Sequence, residues 1–478
     1  MTMDLAYSVL KRFFGFDEFR GCQRDVIQRV TEGGHSLLIM PTGGGKSLCF
    51  QIPALVFAES MKERNPLTLV ISPLIALMKD QVDRLKSLGI AATFINSSLR
   101  KSEREQRYAA VSRGHYSLLY VTPERFRKPE FQEILRGRYV CLLAVDEAHC
   151  ISEWGHDFRP DYSRLGEIRE QLGNPITIAL TATATPDVQQ DIVRQLRLGA
   201  ADVQLFHEGI DRLNLELRVE EVWDADEKQT AMQEIIDRWL SKPDGCGIVY
   251  FTLIRTLEEF SERLAAERIG HVCYHGDLDR GARKAIQEEF MQGDARLVLA
   301  TNAFGMGVDR DNIRFVIHAD VPGSLESYYQ EIGRAGRDGE PAECVLLYDQ
   351  RDLNTQMEFI RWSNPDAEFC ERSWHLLTHS TEQVRSFGID WLRERLCDRQ
   401  RHDRRIETVL SLLHRYGLIE DENDLSDLEI SGDLPAALAD PELRNAKLLN
   451  DQKRLYALVQ YIRSDERRGY LRDYFGVS

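Results

Sequence analysis

The sequence predicts an α/β protein made of two parallel-sheet domains in series, followed by a mostly helical third module. Three observations predict it. From about residue 36 to 200, short apolar runs ending in Pro, Gly, Thr or acidic residues alternate with helical patterns, the rhythm of a parallel sheet with crossover helices. The same rhythm restarts at about residue 246. Beyond about residue 355 the strand-like runs stop and helical patterns dominate.

The strands of the first series are read at SLLIM, TLVISPL, SLLYVTP, CLLAVDEAH and ITIALTATA. Those of the second are read at CGIVYF, HVCYHG, RLVLATN, FVIHAD and CVLLYD, with helical stretches such as RTLEEFSERLAAERI between them. The connecting stretch from about 203 to 230 contains NLELRVEEV, which fits a hinge or the first strand of the second domain. In the third module, RRIETVLSLLHRYGLIE reads as a helix whose glycine and following apolar pair mark a turn into a hairpin. The expected domains are therefore 1–205, 206–355 and 356–478, without internal repeats or low-complexity tracts.

A chain of 478 residues has room for about three domains, and 43% hydrophobic content supports a sizeable core. No run of about eighteen apolar residues occurs, and MTMDLAYSVLKRFFGF reads as an amphipathic helix without a cleavage pattern. A cytoplasmic protein with no membrane partner is expected. The nine cysteines are scattered with no CxxC pair, which argues against a zinc ribbon or a disulfide framework and for reduced thiols. A net charge of −16 argues against whole-surface adhesion to nucleic acid, so any such site must be a local basic or aromatic patch.

Three segments carry chemistry. In LLIMPTGGGKSL an apolar strand runs into a turn of Thr42, Gly43, Gly44 and Gly45, and Lys46 and Ser47 then open a helix. Backbone N–H groups and the helix N-terminus can cradle phosphates there, with Lys46 at the outer phosphates and Ser47 at Mg²⁺. Met40 stands at the first glycine position of the usual phosphate-loop spacing. In LLAVDEAH, Asp146 and Glu147 end a strand, where Asp146 suits a Mg²⁺ contact and Glu147 a base that orients water. By itself such a pair is as compatible with a helix cap. In SYYQEIGRAGRDGE, Gln330, Arg334 and Arg337 share a short segment, and arginines three apart can lie on one helical face and reach a transferring phosphate. Surface salt-bridging is the plain alternative for them.

FGFDEFRGCQ, PTGGGKS, SPLIALMKDQV, VTPER, DEAHCISEWGHDFRPDY, TATAT, TNAFGMGVDR and YYQEIGRAGRDG, in that order, resemble the motif series of the RecQ family of superfamily 2 helicases. They span about residues 14 to 350. The resemblance implies two RecA-like domains, ATP and Mg²⁺ as cofactors, and single-stranded and forked DNA as partners. It implies 3′ to 5′ translocation and duplex unwinding in DNA repair or recombination. It also implies roles: Phe16, Arg20 and Gln23 at the nucleotide base, with Gln23 as the adenine reader, and Asp309 at the nucleotide. Ser72, Pro73, Lys79, Thr122, Arg125 and Thr301 would hold DNA. Trp154, His156, Phe158 and Arg159 belong to an aromatic-rich stretch linking single-stranded DNA to the ATP site, where stacking is worth about 1–3 kcal/mol per base. Thr181 and Thr183 would couple the domains, and Gly305 would sit where the second domain meets DNA and nucleotide.

The family usually continues into a four-cysteine zinc module and a winged helix. RSDERRGYLRDYFGVS resembles the start of the zinc module, but Glu466 stands where the first cysteine is expected, so zinc is expected to be absent. The chain is either truncated there or carries a different helical module. Arg393, Arg395, Arg399, Arg401, Arg404 and Arg405 form a basic run that is a candidate duplex contact or a solvated helix face. EDENDLSDLEISGDLP is where a strand-separating hairpin would lie, without an exposed aromatic at its tip. Two other functions stay open: a DNA-stimulated ATPase that remodels or anneals strands, and a non-hydrolysing adaptor, which intact Lys46, Glu147 and Arg337 oppose. RNA is an alternative substrate.

Overall fold

The computed structural model describes residues 2–41, 43–152, 159–305, 308, 310–397 and 403–477. The first sheet contains β1 (His35–Ile39), β2 (Pro66–Ile71), β3 (Ala92–Ile95), β4 (Leu118–Val121), β5 (Tyr139–Val145), β6 (Ile176–Thr181) and β7 (Val203–His207). Its order is β3-β4-β2-β5-β6-β1-β7, and every pairing is parallel. The five runs read from the sequence lie on β1, β2, β4, β5 and β6. These inner strands are buried on both faces, which is why each reads as a continuous apolar run.

The second sheet contains β8 (Leu215–Glu221), β9 (Gly247–Tyr250), β10 (Val272–Tyr274), β11 (Leu297–Ala300), β12 (Phe315–His318) and β13 (Ala342–Tyr348). Its order is β10-β11-β9-β12-β13-β8, again all parallel. NLELRVEEV is thus a strand of the second domain, in register with β13 along seven residues. Two RecA-like domains therefore lie in series, with a helical C-terminal region. In each sheet the strand ends that carry the motifs fall on the same edge, as parallel strands require.

Each sheet is covered on both faces. Behind β1 the helix Leu48–Ser60 is apolar all round and buried from Cys49 to Phe57, the pattern of a helix enclosed between layers. The C-terminal region divides its apolar side chains between two places. Helices Ala367–His379, Thr381–Leu396 and Arg405–Tyr416 share a core of their own built on Phe369, Leu377, Leu392, Leu410 and Leu413. By contrast, Leu458, Tyr461 and Phe475, from the helices Pro441–Arg463 and Arg467–Phe475, enter the core of the second domain.

One expectation for this region changes and one is filled in. In the basic run, Arg393 pairs with Asp390 and Glu407 while staying 42% exposed, exposed Arg395 stacks on Trp391 at 3.9 Å, and Arg405 pairs with Asp403 and lies over Phe369 at 4.3 Å. These local pairings are those of a solvated helix face, and they leave the duplex contact untested; Arg399 and Arg401 lie outside the described residues. The acidic stretch forms no strand among the described residues. It folds as turns, because Leu418, Ile419, Leu425 and Leu428 are drawn into the module's core, with one hairpin-like bond from Ser431 N–H to the Leu418 carbonyl at 3.0 Å. The nine cysteines are free thiols. Among the described residues no helix is long and apolar enough to cross a membrane.

Candidate active site

The strand β1 ends at Ile39, and Met40 N–H bonds to the Thr181 carbonyl at 3.1 Å, so the glycine turn starts beside the TATAT segment. Gly43 and Gly45 both take φ +83°, a left-handed conformation open to glycine at little cost. A Cβ on Gly45 would stand 2.5 Å from Gln23 Nε2, so close approach as well as φ requires glycine there. Lys46 and Ser47 follow at the start of the long buried helix. Lys46 Nζ is shielded from solvent and has no hydrogen-bond partner among the described residues. A buried, unpaired ammonium is costly, and an anion such as a phosphate would satisfy it. Ser47 Oγ accepts from Gln81 Nε2 at 3.3 Å, a residue the sequence reading did not single out. Thr42 lies outside the described residues.

Asp146 N–H closes the β2–β5 ladder on the Ile71 carbonyl at 2.8 Å. Its carboxylate accepts from Glu147 N–H at 3.1 Å, and Glu147 itself takes φ 49°, ψ 48°. Burial, and then the charge of Glu147, push the Asp146 carboxyl up to about 7, while Lys46 pulls it down. Lys46 thus offsets the acids only in part, and its own Nζ still lacks a hydrogen-bond partner among the described residues. Both features suit a magnesium–nucleoside triphosphate, with Ser47 and Asp146 on the ion. A metal held mainly by phosphate and water needs no larger cluster of protein ligands.

From the acids a polar chain runs into the second domain. His149 Nδ1 lies 3.4 Å from Glu147 Oε2 and 2.9 Å from Thr181 Oγ1. Thr181 Oγ1 donates to the Thr183 carbonyl at 3.0 Å and accepts from Thr183 N–H at 3.2 Å. Gln330 Nε2, on the helix Leu325–Ile332 of the second domain, then donates to Thr183 Oγ1 at 3.2 Å. Thr181, Thr183 and His149 are almost fully buried, so no water competes for these bonds. His149 is a second residue that sequence reasoning passed over. Its signal was present in DEAH, two residues beyond Glu147, but the acids had absorbed the motif.

The two arginines separate. The helix ends at Ile332, and the glycine-rich segment after it is irregular, so Arg334 and Arg337 do not share a helical face. Arg334 Nη1 donates to the Gly305 carbonyl inside its own domain. Arg337 Nη1 donates to the Val308 carbonyl at 2.9 Å, while its Cγ and Cδ pass 3.2 Å from where a Cβ on Gly43 would stand. Only Arg337 of the pair is brought against the phosphate loop.

Other expected residues are placed less directly. Gln23 is buried with its amide already engaged, accepting from Arg20 N–H at 3.0 Å and donating to the Gly44 carbonyl at 3.0 Å. It braces the phosphate loop, and reading a base would require it to exchange partners. Phe16 and Arg20 are exposed nearby in sequence, and Asp309 lies outside the described residues. On the motif edge of the sheets, Ser72 and Pro73 follow β2, Thr122 and Arg125 follow β4, and Thr301 follows β11. The Pro73 carbonyl accepts from Arg159 Nη1 at 3.3 Å, Lys79 is exposed, and Arg125 Nε is shielded without a hydrogen-bond partner. Trp154, His156 and Phe158 lie outside the described residues.

Two stacked RecA-like domains with a phosphate loop on one and an arginine and a glutamine from the other define a superfamily of nucleotide-driven motors. The chain matches the DEAD/DEAH box helicase model over residues 20–192 and the helicase conserved C-terminal domain over residues 227–339. It is 44% identical over 365 residues to the ATP-dependent DNA helicase RecQ of Bacillus subtilis, covering 76% of this chain and 59% of that one. With the probable ATP-dependent DNA helicase RecS of the same organism it shares 40% identity over 361 residues, 75% of this chain and 70% of that one. The chain belongs to the RecQ family of ATP-dependent DNA helicases. It spans between half and three-fifths of the RecQ helicases of Bacillus subtilis and Haemophilus influenzae, at 59% and 54% of their lengths. Among solved structures, Dbp5 of S. cerevisiae bound to RNA and ADP BeF3 has the same fold with a TM-score of 0.58 at 16% identity, over 73% of this chain and 89% of that one.

Proposed function

We propose that this chain hydrolyses ATP between its two sheet domains and uses the cycle to move 3′ to 5′ along single-stranded DNA and unwind duplex ahead of it. The observation that carries the reading is the polar chain from Glu147 through His149, Thr181 and Thr183 to Gln330, with Arg337 against the phosphate loop. Such an arrangement makes hydrolysis depend on how the domains meet. In this reading Lys46 receives the charge of the outer phosphates and Glu147, oriented by His149, positions the attacking water. Arg337 stabilises charge on the transferring group, a role worth roughly 10³ to 10⁵ in rate. Bound Mg²⁺, held through Ser47 and Asp146, would neutralise phosphate charge. Gln23 braces the loop and is the candidate for adenine recognition. Ser72, Pro73, Lys79, Thr122, Arg125, Arg159 and Thr301 line the motif edge along which a strand would run.

The test is ATP hydrolysis by this chain with and without single-stranded DNA, beside unwinding of a forked duplex with a 3′ tail. Stimulation with unwinding is the expected result. No stimulation by DNA, with RNA active in its place, would overturn the substrate, and hydrolysis indifferent to both would overturn the motor.

A further inference from the structure

The helices Pro441–Arg463 and Arg467–Phe475 are fixed to the second domain. Tyr461 and Tyr328 bring their buried hydroxyls together at 3.1 Å, Tyr474 Oη donates to Glu326 at 2.8 Å, and Arg468 Nη1 donates to the Arg212 carbonyl at 3.0 Å. Arg444 Nε and Lys447 Nζ tie the first of these helices to Pro365 O and Asn364 Oδ1, at the entrance of the module with its own core. The module therefore travels with the second domain.

It nevertheless reaches the first. Arg127, just after VTPER, donates through Nε and Nη2 to the two oxygens of Asp161, both at 2.7 Å, and Nη2 also donates to the Arg415 carbonyl. That carbonyl belongs to the last turn of the helix Arg405–Tyr416, where the free carbonyls and the helix dipole favour a cation. Gly417 caps the helix at φ +76°, and a Cβ there would collide with the Arg127 guanidinium. Asp161 is buried in the short helix Pro160–Ser163, three residues in sequence after Phe158 of the aromatic-rich stretch. The next residue, Tyr162, donates from its hydroxyl to the Asp146 backbone carbonyl at 3.4 Å.

We infer that Arg127 is a positioning residue that couples the C-terminal module to the segment that follows the aromatic-rich stretch and bonds to the backbone of the acidic pair, so that DNA stimulation of hydrolysis depends on this contact. The inference rests on the motor reading proposed above. Arg127 touches no residue assigned to the nucleotide site, and its motif partner, Asp161, takes no part in the proposed hydrolysis, so basal turnover is not its business. A forked Arg–carboxylate pair holds a direction as well as a charge, and lysine cannot reproduce both bonds.

The experiment uses the full chain with Arg127→Met, Arg127→Lys, Gly417→Ala, which attacks the contact from the module side, and the double variant Arg127→Met/Gly417→Ala. ATP hydrolysis is measured with and without single-stranded DNA, and amide hydrogen exchange is followed at residues 160–163. Expected are basal rates unchanged from the parent within error and DNA-stimulated rates lower by about 2- to 30-fold, the range of coupling mutations. Arg127→Lys should recover part of the loss, and the double variant should lose no more than the worse single one. Stimulation retained by Arg127→Met, with only the melting temperature lowered, overturns the proposal and leaves Arg127 a staple. If the parent itself is not stimulated, the motor reading fails separately, and exchange decides the coupling. Faster exchange at 160–163 in Gly417→Ala upholds the contact, and unchanged exchange overturns it.

Discussion

Removing the bond between Gln330 and Thr183 tests whether the polar chain carries information between the domains. The bond is 3.2 Å long, and Thr183 is 1% exposed, so breaking the bond costs the Thr183 hydroxyl a hydrogen bond in a place water does not reach. Thr183→Val and Gln330→Ala should each cost about 1–3 kcal/mol, the penalty of one buried unsatisfied group. If the closed arrangement is needed for hydrolysis, that loss appears in kcat/KM for ATP at saturating single-stranded DNA as a fall of roughly 5- to 150-fold. The pair itself is worth less, about 1 kcal/mol net for a neutral hydrogen bond. A double-mutant cycle on kcat/KM should accordingly show coupling near 1 kcal/mol, with the double variant about 5-fold more active than the product of the single effects. Additivity to within about 0.3 kcal/mol, the behaviour of independent sites, would refute the link.

Lys46→Ala should abolish ATP turnover while DNA binding stays measurable, because its shielded ammonium has no other partner; turnover near the parent's would remove the phosphate loop from the mechanism. Arg337→Ala should lower kcat by about 10³ or more with little change in ATP affinity. Arg334→Ala, which frees the Gly305 carbonyl inside the second domain, should chiefly lower its melting temperature, and the reverse ranking in steady-state kinetics would exchange their roles. Asp352, held with Asp320 around Lys228 Nζ, is pushed up to about 6 by burial first and then by Asp320. A carboxyl raised above its unfolded value adds stability that is full below about pH 4 and is lost as pH rises through about 6. The melting temperature of the parent relative to that of Asp352→Asn should therefore fall from pH 4 to pH 6, and a relative rise would contradict that sign. Glu147→Gly and Glu147→Ala both delete the carboxylate, but only alanine keeps the cost of φ 49°, so the glycine variant should be the more stable by about 1 kcal/mol in urea unfolding.

The parallel strands were legible because burial on both faces writes an apolar run into the sequence, and because parallel strands end in the turns where motifs sit. Two strands were not. β7 is an edge strand whose middle residues are exposed, so it offers neither a run nor an alternation to read, and β3, a buried edge strand of four residues, was passed over. The glycine turn and the acidic pair were legible as local patterns, since spacing within a few residues is enough to imply their chemistry. What could not be read was which of two arginines faces the loop. Gly333, Gly336 and Gly339 break the helix that would have put them side by side, and their separation is decided by contacts with Val308 and Gly305 about thirty residues away. The pairing inside the basic run was unreadable for a related reason. Its partners, Glu407 and Trp391 among them, become neighbours only when three helices pack, and linear charge density does not show that.

Three features of the first domain point the same way when taken together. Lys46 Nζ lacks a hydrogen-bond partner among the described residues, the Asp146 carboxyl is pushed up to about 7 by burial beside another acid, and Glu147 occupies a backbone region that costs an L-residue about 1–2 kcal/mol. Each deficit would be small on the surface. Here they adjoin in a half-buried site, and the first domain itself repairs them only in part, through the charge of Lys46 on Asp146. A nucleotide with its cation would relieve the first two at once, so part of its binding free energy goes into changing the electrostatics around Glu147. Glu147 is also the residue from which the chain through His149, Thr181 and Thr183 leads to Gln330. Filling the site and closing the domains are on this account linked, because the group that feels the nucleotide's charge adjoins His149, whose bond to Thr181 begins the path to the other domain's helix.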